Sequence, residues 1–156
     1  MSDFSVRPAD PLGAPAQGLI ARHLSLMHEQ TPPESVHAMG AAELAGPDVD
    51  FFLLWDGDTP LAMGALKRWG DRQGELKSMH VLAEARGRGV GAALLDHLLA
   101  HARTLGLVRL SLETGADEYF IVARRLYARY GFQPCPPFAD YVPDPLSAFM
   151  RLDLAP

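Results

Sequence analysis

Residues 84–103 read EARGRGVGAALLDHLLAHAR, and how this stretch is taken decides the fold. Gly87, Gly89 and Gly91 alternate with Arg88 and Val90, and Arg86 stands just before them. Apolar residues then recur at helical spacing, with Val90, Leu94, Leu95, Leu98 and Leu99 forming a wide stripe. Gly106 suits the C-terminal stop of such a helix. A helix over about Gly87 to Leu105 points free N–H groups and the positive end of its dipole at whatever lies in front. Glycines let a ligand approach the backbone with no Cβ in the way. The loop Gly87–Ala92, flanked by Arg86 and containing Arg88, therefore reads as an anion site whose natural guest is a diphosphate.

Outward from the loop the chain alternates strands and helices. "DFSVRPAD" is a short first strand stopped by Pro8. Leu19, Ile20, Leu24 and Met27 predict a helix over about Leu12 to Glu29. After "QTPPES", Pro33, Glu34 and Ser35 start a second helix that runs through about Leu44. A hairpin follows, with strands near Phe51–Trp55 and Pro60–Trp69 and "DGD" as its turn. "GELKSMHVL" supplies a third strand, about Glu75 to Val81. Beyond the loop helix come the strand "LVRLSLET", the helix "DEYFIVARRLYARYG" closed by Gly131, a short strand at "FQP" and a last one at "SAFMRLDL". The expected fold is a single α/β (α+β) domain over residues 1–156, with a mixed, mostly antiparallel sheet flanked by about four helices.

Composition narrows the function. The 156 residues carry a net charge of −5, which argues against nucleic acid as a partner, because phosphate backbones want a basic surface. No apolar run approaches the roughly 18 residues of a membrane helix, and "MSDFSVRPAD" lacks the basic and apolar regions of a signal peptide. The single cysteine, Cys135, allows no disulfide within the chain and suits a reducing cytoplasm. His97 and His101 stand i, i+4, a spacing compatible with metal, but no acidic motif accompanies them and no metal is expected.

Two familiar glycine loops fit poorly. A P-loop needs Lys-Ser/Thr after its last glycine, and Ala92, Ala93 and Leu94 follow Gly91. Gly87, Gly89 and Ala92 match the letters of the dinucleotide fingerprint, but Leu82–Arg86 separate the strand from the loop. Arg86-x-x-Gly89-x-Gly91 fits better. With "MHV" closing the strand before it and "ARRLYARYGF" after the next strand, the chain resembles the Gcn5-related N-acetyltransferases, the GNAT superfamily.

That resemblance implies acetyl transfer from acetyl-CoA to the amine of a small molecule or peptide. It places the pyrophosphate against Arg86, Gly87, Arg88, Gly89, Val90, Gly91 and Ala92, and the pantetheine arm along Met79, His80 and Val81. An N–H of Met79 or His80 would polarise the thioester carbonyl. Tyr127 matches the family's general acid; its shared face with Phe120, Ala123 and Tyr130 alone would read as core. Glu75 is the expected base, often acting through water in the family, with Glu113 as rival and an ordinary surface role open to both. His80 also stands where it could assist. Phe120 replaces the asparagine many members carry seven residues before the tyrosine. By analogy, about His28 to His37 borders the acceptor pocket, with Glu34 within reach of an amine. The resemblance also implies a homodimer. A catalytically silent acyl-CoA sensor and a small NAD-dependent oxidoreductase are the competing readings; acceptor identity and acyl length stay open.

Overall fold

The computed structural model describes residues 4–36 and 39–154. Seven strands form one sheet: β1 (Phe4–Pro8), β2 (Val49–Asp56), β3 (Thr59–Trp69), β4 (Gln73–Val81), β5 (Arg109–Gly115), β6 (Gln133–Pro134) and β7 (Ser147–Asp153). Their order is β1-β2-β3-β4-β5-β7-β6. Every pairing is antiparallel except β4 with β5. That one parallel step needs a crossover, which α3 (Val90–Thr104) provides.

Helices cover both faces. α1 (Ala14–Gln30) buries Ala16, Leu19, Ile20 and His23, a stripe at i, i+3, i+4, i+7, against Phe51, Leu53 and Met63. α3 buries Val90, Leu94, Leu95, Leu98, Leu99 and Ala102 on the other face, and α4 (Ile121–Arg129) adds Tyr127. The expected stripe of α3 is thus its core face, and Gly106 and Gly131 take the positive φ of helix ends, +77° and +96°.

Three expected boundaries move. The second helix does not run from Pro33 to Leu44: Pro33–Ser35 is one 3-10 turn, and α2 is only Ala41–Leu44. Val36 is extended (φ −85°, ψ 119°), which ends the turn at once, and His37 lies outside the described residues. The loop helix starts at Val90, because Gly87 and Gly89 hold φ +80° and +77°, outside the helical region. The last helix is preceded by a 3-10 turn, Glu118–Phe120, set by Asp117, whose side chain accepts from the Tyr119 N–H.

One irregularity aims the site. Met63 pairs with His80 and Ala65 with Lys77, so two steps on β3 face three on β4. The extra residue is a bulge at Ser78, with φ +57°. Strand alternation would put His80 on the face of Leu76. The bulge instead puts Leu76, Met79 and Val81 in the α3 core, while His80 joins the α1 side and touches His23. Gly64 lies opposite; a Cβ there would stand 2.8 Å from Met79 Sδ.

Candidate active site

The β4–β5 ladder stops halfway. Gln73 to Leu76 pair with Arg109 to Leu112; Lys77–Val81 and Glu113–Gly115 then run on without each other. A wedge opens between the two strands. Its floor is a cavity of about 130 Å³ lined by β4 (Glu75 to Met79), β5 (Leu112 to Gly115), Tyr127, His23 and the 31–36 segment.

The glycine loop sits just past the end of β4. A 3-10 turn, Ala83–Ala85, separates strand from loop and accounts for the residues between Val81 and Gly87. Among the described residues no backbone carbonyl takes the N–H groups of Gly87 through Ala92; the Ala93 N–H is the first to be bonded, to Gly89 O at 3.0 Å. A Cβ at Gly87 or Gly89 would meet no protein atom within 4 Å, so these glycines answer to their φ and to the space in front of the loop. An exposed run of amides at a helix N-terminus fits a diphosphate. Arg86 is exposed, and its charge is felt at His80. Arg88 goes elsewhere than expected. Its guanidinium bonds Asp56 Oδ2 at 2.7 Å and lies over Phe4, because β2 ends beside it with an exposed carboxylate.

Tyr127 is 7% exposed, and its ring packs edge-on against Phe132 at 5.8 Å. No hydrogen bond among the described residues holds its hydroxyl, and the residue lines the cavity. Burial alone pushes its pKa well above 10, so it stays protonated at any working pH. Tyr130, one helical turn on, is instead bound: its hydroxyl lies 2.8 Å from Asp96 Oδ1 and 3.0 Å from Ala92 O, tying α4 to α3.

Glu75 is buried, at 4% exposure, and is not an ordinary surface glutamate. Its Oε2 accepts from Lys77 Nζ at 3.2 Å and from the Tyr141 hydroxyl at 2.5 Å, and Lys77 Nζ lies 2.9 Å from Tyr141 Oη. Sequence reasoning missed Tyr141. It stands on the loop between β6 and β7, held down by Phe138 (5.0 Å) and Phe149 (5.5 Å). Burial, and then the carboxylates of Glu75 and Glu113, push its hydroxyl far above the usual tyrosine range. Ser35 Oγ donates to Asp144 Oδ2 at 2.6 Å and joins the two rims of the cavity. The 31–36 segment thus borders the cavity as expected, but Glu34 is exposed and does not line it. Glu113 lines the cavity on β5, and Phe120 packs over Gly115, where a Cβ would stand 1.9 Å from its ring.

The Glu75–Lys77 pair can be weighed. Side-chain exposures of 5% and 10% make it a buried ion pair, and removing one partner strands the other charge. Glu75→Gln is expected to lower stability by about 3 kcal/mol in denaturant melts, with much of the loss recovered in Glu75→Gln/Lys77→Met. A loss under about 1 kcal/mol would put the pair with surface bridges.

His23 has a second consequence. It is 8% exposed, and its Nδ1 lies 3.2 Å from His80 Nδ1. Burial, then His80, hold its pKa down to about 4, against 6.5 for a free imidazole. The unfolded chain takes up this proton near pH 6.5 and the folded chain only near pH 4. Stability present at neutral pH is therefore lost as pH falls through that window, by roughly 3 kcal/mol. Denaturant melts at pH 7 and 4.5 should show the loss in the native chain and a flatter profile in His23→Gln.

His97 and His101 both pack edge-on against Phe52, and His101 Nε2 lies 2.8 Å from Asp50 Oδ2. They are structural contacts of α3. Among the described residues no group of three His, Cys, Asp or Glu could hold a metal ion. The dinucleotide reading falls here, since a single parallel pair and an interposed 3-10 turn are not a doubly wound sheet.

Comparison with known proteins agrees with this geometry. The profile of the Acetyltransferase (GNAT) family matches residues 20–132. The uncharacterized N-acetyltransferase YsnE of Bacillus subtilis is 45% identical over 145 residues, 93% of this chain and 96% of that protein. A Klebsiella pneumoniae structure, provisionally described as an acyl-CoA N-acyltransferase, superposes with a TM-score of 0.81 at 29% identity, covering 98% of this chain and 99% of that one. The PaiA N-acetyltransferase of Thermoplasma acidophilum, solved with coenzyme A, shares the fold: TM-score 0.74, 14% identity, 97% of this chain and 99% of that one. A family match over most of the chain, a full-length relative and a wedge beside an amide-lined loop lead to one conclusion: the chain belongs to the GNAT family of acetyltransferases.

Proposed function

We propose that the chain binds acetyl-CoA with its diphosphate on Gly87–Ala92 and its pantetheine arm along Met79–Val81, and passes the acetyl group to a primary amine seated in the cavity. The carrying observation is the wedge between β4 and β5, with unpaired loop amides at one end and titratable side chains at the other. Bound acetyl-CoA supplies an activated thioester. Arg86 adds charge beside the loop, and the Arg88 backbone contributes an amide while its side chain stays with Asp56. The strand edge freed after Leu76 offers backbone groups to an extended arm, as a neighbouring strand would.

Glu75 is the base in this reading. Lys77 and Tyr141 fix its carboxylate in place, and it takes up the proton of the amine, with water as intermediary. Tyr127 is the acid: its O–H bond breaks as the departing thiolate takes the proton, and the second proton lost by the amine nitrogen restores the phenol. The acceptor is a small molecule or a peptide whose amine reaches the cavity between β4 and β5. No described helix is long and apolar enough to cross a membrane; the lone Cys135, partly buried and unpaired, supports a cytoplasmic setting. A homodimer is the proposed assembly, readable by light scattering.

Calorimetric titration with acetyl-CoA, with NADH as control, tests the cofactor. Thiol release with ethanolamine, tyramine, histamine, lysine and a short peptide tests the transfer. Binding plus release with any amine supports the reading. Tight binding with no release favours a sensor, and no binding removes the loop assignment.

A further inference from the structure

A proton released by the acceptor has to leave the cavity before the next turnover, and Glu75 Oε2 is already occupied by the donors Lys77 and Tyr141. A second group lines the same cavity. His23 is on the buried stripe of α1, yet it reaches the cavity wall, and its Nδ1 lies 3.2 Å from that of His80. His80 is half-buried and lies on the other side of His23, toward the rim where Arg22 bonds Glu84 with both side chains about 60% exposed (61% and 60%). The two rings meet edge to face, with centroids 5.2 Å apart. They therefore form a two-step chain from the cavity wall toward the exposed edge at Arg22 and Glu84. Only the bulge at Ser78 makes it possible, by turning His80 toward α1.

We propose that the His23–His80 pair is the route by which the acceptor amine's proton leaves the active site. This rests on the transfer reaction proposed above. At rest His23 carries its proton on Nδ1 and donates to the lone pair of His80 Nδ1, while His80 carries its own on Nε2. The O–H bond formed at Glu75 breaks, and the proton passes through cavity water to form a new N–H bond at His23 Nε2. The His23 Nδ1–H bond breaks as the proton moves to His80 Nδ1, and the His80 Nε2–H bond breaks as that proton goes to water. Both rings end neutral with their tautomers exchanged, and each resets by giving one proton to water and taking another at its other nitrogen, with no net transfer. No net charge stays in the cavity.

The surroundings suit a neutral carrier. Burial lowers the pKa of both rings, and the cations of Arg86, from the glycine loop, and Arg22, from α1, add to it at His80. Glu84 bonds Arg22, and Glu75 and Lys77 neutralise each other on β4. The pair thus keeps open lone pairs at neutral pH, as a relay needs.

Two measurements decide it. Long-range ¹H–¹⁵N spectra of the histidines are expected to show His23 protonated on Nδ1, His80 on Nε2, and a scalar coupling between the two Nδ1 atoms at pH 7. His23→Gln and His80→Gln are each expected to cut kcat about 10²-fold at pH 7, on the fastest amine of the panel. KM for acetyl-CoA should hold. The deficit should shrink as pH rises past the amine's own pKa, and added imidazole should restore part of it. A full rate at pH 7 in both variants overturns the relay. So does a loss that is equal at every pH and deaf to imidazole, which marks a structural pair. Two imidazoles with matching tautomers and no coupling overturn it as well. If coenzyme A binds but no amine is acetylated, the transfer reading falls separately, and the spectra alone decide the pair.

Discussion

Tyr127→Phe lowers kcat about 10³-fold while KM for acetyl-CoA and the melting temperature hold. The magnitude follows from general acid catalysis, typically 10²–10⁴-fold. The specificity of the loss follows from packing. The ring, not the hydroxyl, holds α4 to the core through Phe132, and phenylalanine keeps the ring. The hydroxyl has no hydrogen bond among the described residues, so its removal strands no buried partner. Burial raises the tyrosine's pKa, and a thiol leaving beside it, away from bulk water, has its own pKa raised by the same desolvation. Donor and acceptor then stay closer in proton affinity than their values in water suggest. Because the phenol remains protonated far above neutrality, Tyr127 adds no alkaline fall to the pH profile below pH 10, and any such limb belongs to another group. Steady-state kinetics on the best amine of the panel, beside a thermal melt, read both halves of the expectation. An unchanged kcat would remove Tyr127 from the reaction and leave it as core.

What the sequence disclosed was what local chemistry dictates. Gly87 and Gly89 were legible because only glycine takes φ near +80° without strain, so alternating glycines announce the loop. The α3 stripe was legible because its period is its packing face. Helix ends fell where glycine stood, at Gly106 and Gly131. The site itself depends on partners far apart in the chain. Glu75 meets Tyr141 across 66 residues and His23 meets His80 across 57, and no spacing rule links such pairs. The Ser78 bulge carries no sequence mark, since serine is not a usual positive-φ residue, and without it His80 reads as facing the core. Arg88 misled for a related reason. Its place in the loop suggested phosphate, but its long side chain reaches Asp56 at the end of β2, a neighbour that only the sheet order supplies. The helix expected through Leu44 failed because prolines favour a helix start but do not sustain one, and Val36 turns extended directly after Ser35.

Gly89→Asp should weaken coenzyme A binding about 10³-fold, and calorimetry on the purified variant reads it. Gly89 holds φ +77°, where a side chain costs about 1–2 kcal/mol of fold stability, free and bound alike. Two effects then weaken binding. The added Cβ would project into the open space before α3, where no protein atom lies within 4 Å and the diphosphate is expected. The carboxylate would face that diphosphate, losing attraction of about 1 kcal/mol at the helix N-terminus and adding repulsion. A thousandfold loss in affinity corresponds to about 4 kcal/mol, carried by the blocked approach and the reversed charge at the loop. The strain lowers the melting temperature modestly but leaves the variant folded, and a thermal melt beside the calorimetry separates lost binding from lost structure. Gly89→Ala, with strain and little bulk, should fall between the two. Equal affinity in Gly89→Asp would mean that the diphosphate lies elsewhere, and the amides of Gly87–Ala92 would then need another guest.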